Sequence, residues 1–238
     1  MNSCLRASAP LRLSCLILVF GLAACGSTGP ALVPAPSAAP SAVDGPSAAA
    51  SASPAATCGV FPADSIWRAE VSKLPLHRSS AAYVDSIGAT RRMHPDFGEG
   101  LWDGAPIGIP VTTVKPGQKT VKVSFEYAGE SDKGPYPIPA DAKVEGGRGS
   151  DGDRHVIVYD PAACKVYELY AAYPAGSGWK AGSGAIFDLR SNKLRPAGWT
   201  SADAAGLSIF AGLVRYEEVA AGRITHALRI TVPRSRDA

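Results

Sequence analysis

From Cys58 onward the chain alternates apolar and polar residues in short runs separated by clusters of Gly, Pro and Asp. Successive side chains on a strand point to opposite faces, so this period of two predicts strands with one face buried. The clearest run is Thr120 to Tyr127: Val121, Val123, Phe125 and Tyr127 share one face, and Lys122, Ser124 and Glu126 the other. Further strands are predicted over Ile107 to Val114, Arg154 to Asp160, Lys165 to Ala171, Ala185 to Leu189 and His226 to Val232. Asp160-Pro161-Ala162-Ala163-Cys164 has the composition of a turn and joins two of them as a hairpin. Helical periodicity is thin. Ser79 is placed to cap a short helix reaching Ile87 before Gly88, and Leu213 to Ala221 predicts a second that stops at Gly222. Many short strands with one or two short helices predict a mainly β single domain over 58–238, an antiparallel sandwich or jelly-roll-like barrel.

The first 57 residues have a different texture. Arg6 and Arg12 precede and open an apolar stretch, Leu13 to Leu22, of about ten residues. A bilayer core of roughly 30 Å needs ~20 apolar residues in a helix, so this stretch is too short to span and residues 1–24 read as a secretory signal peptide. The signal ends in Leu22-Ala23-Ala24-Cys25, followed by Gly26 and Ser27. That segment resembles the bacterial lipobox, in which a lipoprotein signal peptidase cuts before a cysteine whose sulfur carries a diacylglyceryl group. The alternative is an ordinary signal peptide that contains a cysteine. The resemblance implies a partner for Cys25, membrane lipid, held by palmitate-like acyl chains. Each buried methylene contributes ~0.8 kcal/mol and one chain anchors only marginally, so two or three chains are needed for lasting attachment. In a Gram-negative host, the lack of an acidic residue at the second mature position implies the outer membrane. The expected location is therefore the cell envelope.

Residues 26–57 hold 11 Ala, 6 Pro and 6 Ser, with Asp44 as the only charge and no aromatic residue. Such a segment buries too little surface to offset chain entropy. Residues 25–57 thus read as a lipidated cysteine followed by a tether, at most ~3.1 Å per residue when extended. Losing Arg6 and Arg12 with the signal leaves 22 basic against 21 acidic side chains. That balance argues against nucleic acid as a partner. Of the five cysteines, Cys4 and Cys15 leave with the signal and Cys25 is the lipidation site. Cys58 and Cys164 remain, and an oxidising compartment predicts a disulfide between them.

Several stretches of 58–233 resemble, in order, a family of secreted bacterial proteins without an established activity, often encoded by bacteria that handle polysaccharides. They are Cys58-Gly-Val-Phe-Pro-Ala-Asp-Ser-Ile-Trp67, His94-Pro-Asp-Phe-Gly98, Gly134-Pro-Tyr-Pro-Ile-Pro139 and Gly152-Asp-Arg-His-Val156. The others are Tyr167-Glu-Leu-Tyr170, Gly182-Ser-Gly-Ala-Ile-Phe-Asp188, Gly198-Trp-Thr-Ser-Ala-Asp-Ala-Ala-Gly206 and His226-Ala-Leu-Arg229. Members of that family usually continue beyond the Val-Pro-Arg stretch, whereas this chain stops at Ala238.

The densest polar cluster lies along the hairpin 154–171. If Ile157 pairs with Glu168, then His155, Glu168 and Tyr170 share one face, with His155 opposite Tyr170. A histidine beside a carboxylate suits a general base, and a tyrosine suits a proton donor or a ligand contact. The competing reading makes His155 and Glu168 a buried structural pair, or leaves both in solvent. Asp188, Asp203 and His226 are further catalytic candidates. Against each stands a structural role: a strand end for Asp188, a turn or helix cap for Asp203, a core position for His226. Trp179 and Trp199 flank the stretch Gly182 to Asp188 and are candidate sugar-stacking residues, with core packing as the alternative. The glycine-rich acidic loop Glu145 to Asp153 misses EF-hand spacing and reads as a mobile turn, so no metal and no cofactor is expected. No GxSxG or HExxH motif is present.

Three functions follow for a tethered envelope domain. One is glycan binding without catalysis; another is hydrolysis or lysis of polysaccharide by the candidates above; the third is structural protein contact.

Overall fold

The computed structural model describes residues 58–93, 97, 100–102, 104–232 and 234. The signal segment, Cys25 and the tether lie outside the described residues. Strands dominate. A short pair, β1 (Leu101–Trp102) and β2 (Ala105–Pro106), precedes two larger sheets. The four-stranded sheet has the order β3 (Val111–Thr113), β5 (Val156–Asp160), β6 (Lys165–Tyr170), β9 (Ser183–Asp188). The three-stranded sheet has the order β4 (Val123–Phe125), β8 (Gly178–Ala181), β7 (Tyr173–Ala175). Among the described residues, helix is confined to α1 (Ser80–Ile87), α2 (Ile209–Gly212) and α3 (Tyr216–Ala220), besides two single 3-10 turns.

Alternation decides which face meets which neighbour. Val156, Val158 and Leu169 project from the four-stranded sheet into one apolar cluster with Trp179 and Ala181 of the other sheet. Tyr136 and Ile138 complete that layer, so the two sheets pack as a sandwich. Ile157, Val166, Ala185 and Phe187 occupy the opposite face, covered by Phe61, Trp67 and the α2 residues Ile209, Phe210 and Ala211. Each fully buried side chain of this size contributes roughly 1.5–3 kcal/mol relative to exposure. Gly184 on β9 allows the close approach of the sheets. A Cβ there would lie 2.5 Å from Phe125 Cε1 and 2.7 Å from Tyr136 Oη.

The hairpin forms as its residues dictate. Asp160 Oδ1 accepts from the Ala162 and Ala163 amides at 3.0 and 2.9 Å, closing the turn before Lys165 pairs with Asp160. Strands β5–β6, β6–β9 and β7–β8 are antiparallel, whereas β3–β5 and β4–β8 are parallel, so both sheets are mixed. After β3 the chain crosses to the second sheet to make β4, then returns to lay β5 beside β3. A parallel pair requires such a crossover. The outer edge of β9 is covered rather than open. Its Ile186 amide donates to Asp132 Oδ2 at 2.8 Å, its Gly184 amide to Ser131 Oγ at 3.2 Å, and Arg195 holds Asp132.

Two departures from the sequence pattern stand out. The strand predicted over His226 to Val232 makes no ladder over 226–230. The Ala227 amide instead donates to Trp67 O at 2.8 Å and the Arg229 amide to Gly212 O at 3.4 Å, because turns and a helix, not a strand edge, lie beside it. The pair β7–β8 arises in a glycine-rich stretch that lacks alternation. Ser79 does occupy the position before α1, which ends at Gly88, but its side chain makes no capping bond.

Candidate functional site

Ile157 pairs with Glu168, the register on which a shared face for His155, Glu168 and Tyr170 depended. The His155 and Tyr170 rings lie 5.9 Å apart. The carboxylate of Glu168, however, turns to the end of α2. It accepts from Ser208 Oγ at 2.7 Å and from the Ile209 and Phe210 amides, both at 2.9 Å. These are the unpaired donors of a helix start, so Glu168 caps a helix from a neighbouring strand. It is fully buried. Burial pushes its pKa up from the ordinary value, opposed by those three donors and by the charge of Arg229.

The partner of His155 is Glu145, which the sequence reading passed over. His155 Nδ1–H donates to Glu145 Oε2 at 2.6 Å, and Nε2–H donates to Ala202 O at 3.1 Å. Two acceptors facing both ring nitrogens fit the imidazolium. Burial works against that charge, but the hydrogen bond and charge of Glu145 outweigh it and raise the pKa of His155. Burial likewise opposes the Glu145 charge, and His155 prevails to lower its pKa.

These directions set a pH dependence. A raised histidine stabilises the fold fully below its unfolded value of about 6.5, and this stabilisation is lost as pH rises through the folded value. A lowered carboxylate stabilises above its unfolded value of about 4.3 and fails as pH falls through the folded value. Urea unfolding across pH 4–9 is therefore expected to show the pair's contribution greatest at about pH 5–6 and declining above pH 7. His155→Gln should flatten that alkaline decline; an unchanged decline would contradict the assignment.

Asp203 lies in the same buried region. Its Oδ2 accepts from Arg229 Nε at 3.3 Å, and its amide donates to Ser201 Oγ at 2.9 Å. The Arg229 charge also acts on Glu145 and Glu168. His155 and Glu168 thus reach the segment 201–210 at different points, and Asp203, within that segment, is held by Arg229. Asp188 stands apart, on a turn with Arg190, whose Nε donates to Oδ1 at 3.1 Å. That hydrogen bond, with the Arg190 amide and charge, lowers the pKa of Asp188. His226 belongs to a third cluster, with Nε2 2.9 Å from Glu218 Oε1 and Nδ1 2.8 Å from Ala227 O. Among the described residues no group of three His, Cys, Asp or Glu side chains could hold a metal ion.

The candidate stacking residues are distributed differently. Trp179 is 6% exposed and faces the layer between the sheets. Trp199 is half-buried, with Arg195 5.5 Å from its ring centre. Tyr173, 48% exposed on β7, is one of the exposed aromatics, with Tyr216, Phe97 and Tyr127.

Tyr173 borders a groove of about 350 Å³ on the outer face of the three-stranded sheet. Ser124 pairs with Lys180, and Lys180 with Tyr173, so these three side chains form a row across the strands. Beside that row lie Glu126, Gly182 and Ala171, and the two small residues leave the hollow. A Cβ at Gly182 would stand 2.8 Å from Tyr170 Cδ1, so glycine there makes room for the ring that packs on His155. Beneath Tyr173 lies the guanidinium of Arg154, 4.2 Å from the ring centre and itself buried. Arg154 donates to Ala172 O, Arg148 O and Ser150 O, which fixes the glycine-rich loop that the sequence read as a mobile turn. Ser124 and Glu126 were legible as the polar face of the strand 120–127; Tyr173 and Lys180 carried no periodic signal.

The fold and the site define a mainly β, disulfide-bonded domain with an open groove on one sheet face. No family model, curated protein or solved structure matches the chain.

Proposed function

We propose that the protein is an exported, lipid-tethered envelope domain that binds glycans in the groove bordered by Tyr173, Lys180, Ser124 and Glu126. The groove itself carries the reading. An exposed aromatic, an ammonium, a hydroxyl and a carboxylate share one hollow, which matches a sugar's apolar ring face and polar rim. Binding is favoured over catalysis because His155 and Glu168 are buried and committed at both nitrogens or both oxygens to protein partners. The lipobox-like segment ending at Cys25 supports the tether, and the likeness to secreted bacterial proteins supports export.

Cys58 and the groove lie toward opposite ends of β6. Cys58, the first described residue, is bonded to Cys164 just before β6, whereas Ala171 of the groove follows the last residue of that strand. At ~3.3 Å per residue the two ends stand roughly 20 Å apart.

One experiment with two readouts tests this. In a bacterial host, a fatty-acid analogue should label the full chain and leave Cys25→Ser unlabelled. On a glycan array the Cys25→Ser chain should bind, and Tyr173→Ala should weaken binding about tenfold, as expected for loss of ~1.4 kcal/mol of stacking, with a cooperative unfolding transition retained although the ring also covers Arg154. An unlabelled chain, or an array without a bound glycan, would overturn the proposal.

A further inference from the structure

We infer that the groove recognises a carboxylate-bearing glycan, a polymer containing uronate residues, with Lys180 as the carboxylate's partner. This rests on the glycan-binding reading and narrows it. Lys180 sits on the central strand β8, one strand from Tyr173 on one side and one from Ser124 on the other. Adjacent strands are ~4.8 Å apart, about the width of a pyranose ring. A sugar stacked on Tyr173 therefore brings its ring substituents over Lys180.

The ammonium is uncommitted. Lys180 makes no hydrogen bond or ion pair with the described residues, although it borders the groove. A neutral sugar offers it hydroxyls only. A uronate offers a charge-assisted bond, shorter and roughly twice as strong.

The placing of the charges bears on the same ligand. The buried guanidinium beneath Tyr173 hydrogen-bonds carbonyl oxygens and no carboxylate. Lys180 and Glu126 are the two charged side chains that line the hollow, and Lys180 holds the central position of the row. Glu126 lies one row along from Lys180, where it accepts from hydroxyls of the same or the next sugar. Such an arrangement discriminates through one charged contact while the aromatic contact stays indifferent to charge.

The probes are polygalacturonate, alginate and hyaluronan, each beside its carboxyl-reduced counterpart, titrated calorimetrically into the full chain carrying Cys25→Ser. At least one acidic polymer should bind tenfold or more tightly than its reduced form, with affinity falling as salt is raised. Lys180→Gln should remove that preference, and Lys180→Arg should largely restore it. Thermal unfolding of both variants should match the parent, since Lys180 is exposed. Equal binding of acidic and reduced polymers, or an undiminished preference in Lys180→Gln, would overturn the inference. Tyr173-dependent binding of neutral glycans alone would overturn it while leaving the broader glycan-binding reading intact; no binding of any glycan would remove both.

Discussion

Replacing Glu168 by alanine is expected to destabilise the domain by about 3–5 kcal/mol, read as a lower urea midpoint at unchanged slope. The substitution removes one carboxylate that serves three donors: Ser208 Oγ, the Ile209 amide and the Phe210 amide. Each donor left buried without an acceptor costs about 1–3 kcal/mol, and relief from burying the carboxylate offsets part of the sum. A cavity adds to the loss, because Glu168 is among the largest fully buried side chains. Glu168→Gln separates polarity from volume. Its carbonyl can keep Ser208 Oγ and the Phe210 amide, but its NH2 then faces the Ile209 N–H. A smaller loss of about 1–3 kcal/mol is expected there. Hydrogen exchange should report the same event locally, as faster exchange at Ile209 and Phe210. If Glu168→Gln matched the parent protein in both readouts, the capping role would fail.

That role shows where sequence reasoning reaches and where it stops. The faces of β5 and β6 were legible, because Val156, Val158 and Leu169 must face one way while Ile157 and Val166 face the other; the pairing of Ile157 with Glu168 entered as a condition, which the structure meets. A slip of one residue would reverse every side chain, whereas a slip of two keeps the faces, so alternation alone leaves the register open. The partners across that register were not legible. Glu145 lies ten residues before His155 and joins it only because the loop between them folds back through Arg154. Arg229 meets Asp203 across 26 residues, with the segment between them folded into α2 and α3. Alternation assigns faces, whereas hydrogen-bond partners depend on loop paths that no period encodes. Trp179 illustrates the same limit from the other side. It sits among glycines, yet period two on a short strand turns it inward and its neighbour Lys180 outward.

Breaking the Cys58–Cys164 bond carries the other large effect. The bridge spans a sequence separation of 106 with Cα atoms 5.6 Å apart. Chain-entropy reasoning gives up to ~4.7 kcal/mol for a loop of that order, and native bridges in small domains typically contribute 2–5 kcal/mol. Position matters as much as length. Phe61 and Trp67, shortly after Cys58, cover the outer face of the four-stranded sheet, and Tyr159 Oη donates to Cys58 O at 3.3 Å. The bridge pins this cover to the hairpin loop beside the strands it shields. Without it, the segment should open at lower denaturant than the sheet. Reductant, or Cys58→Ser with Cys164→Ser, is expected to lower the urea midpoint and deprotect the Ala227 amide, whose acceptor is Trp67 O. The glycan affinity proposed for the groove should be unchanged below that midpoint, because Tyr173 and Lys180 lie beyond the opposite end of β6. Loss of affinity on reduction without unfolding would show instead that the bridge shapes the groove, and an unmoved midpoint would show that the cover is held by apolar contact alone.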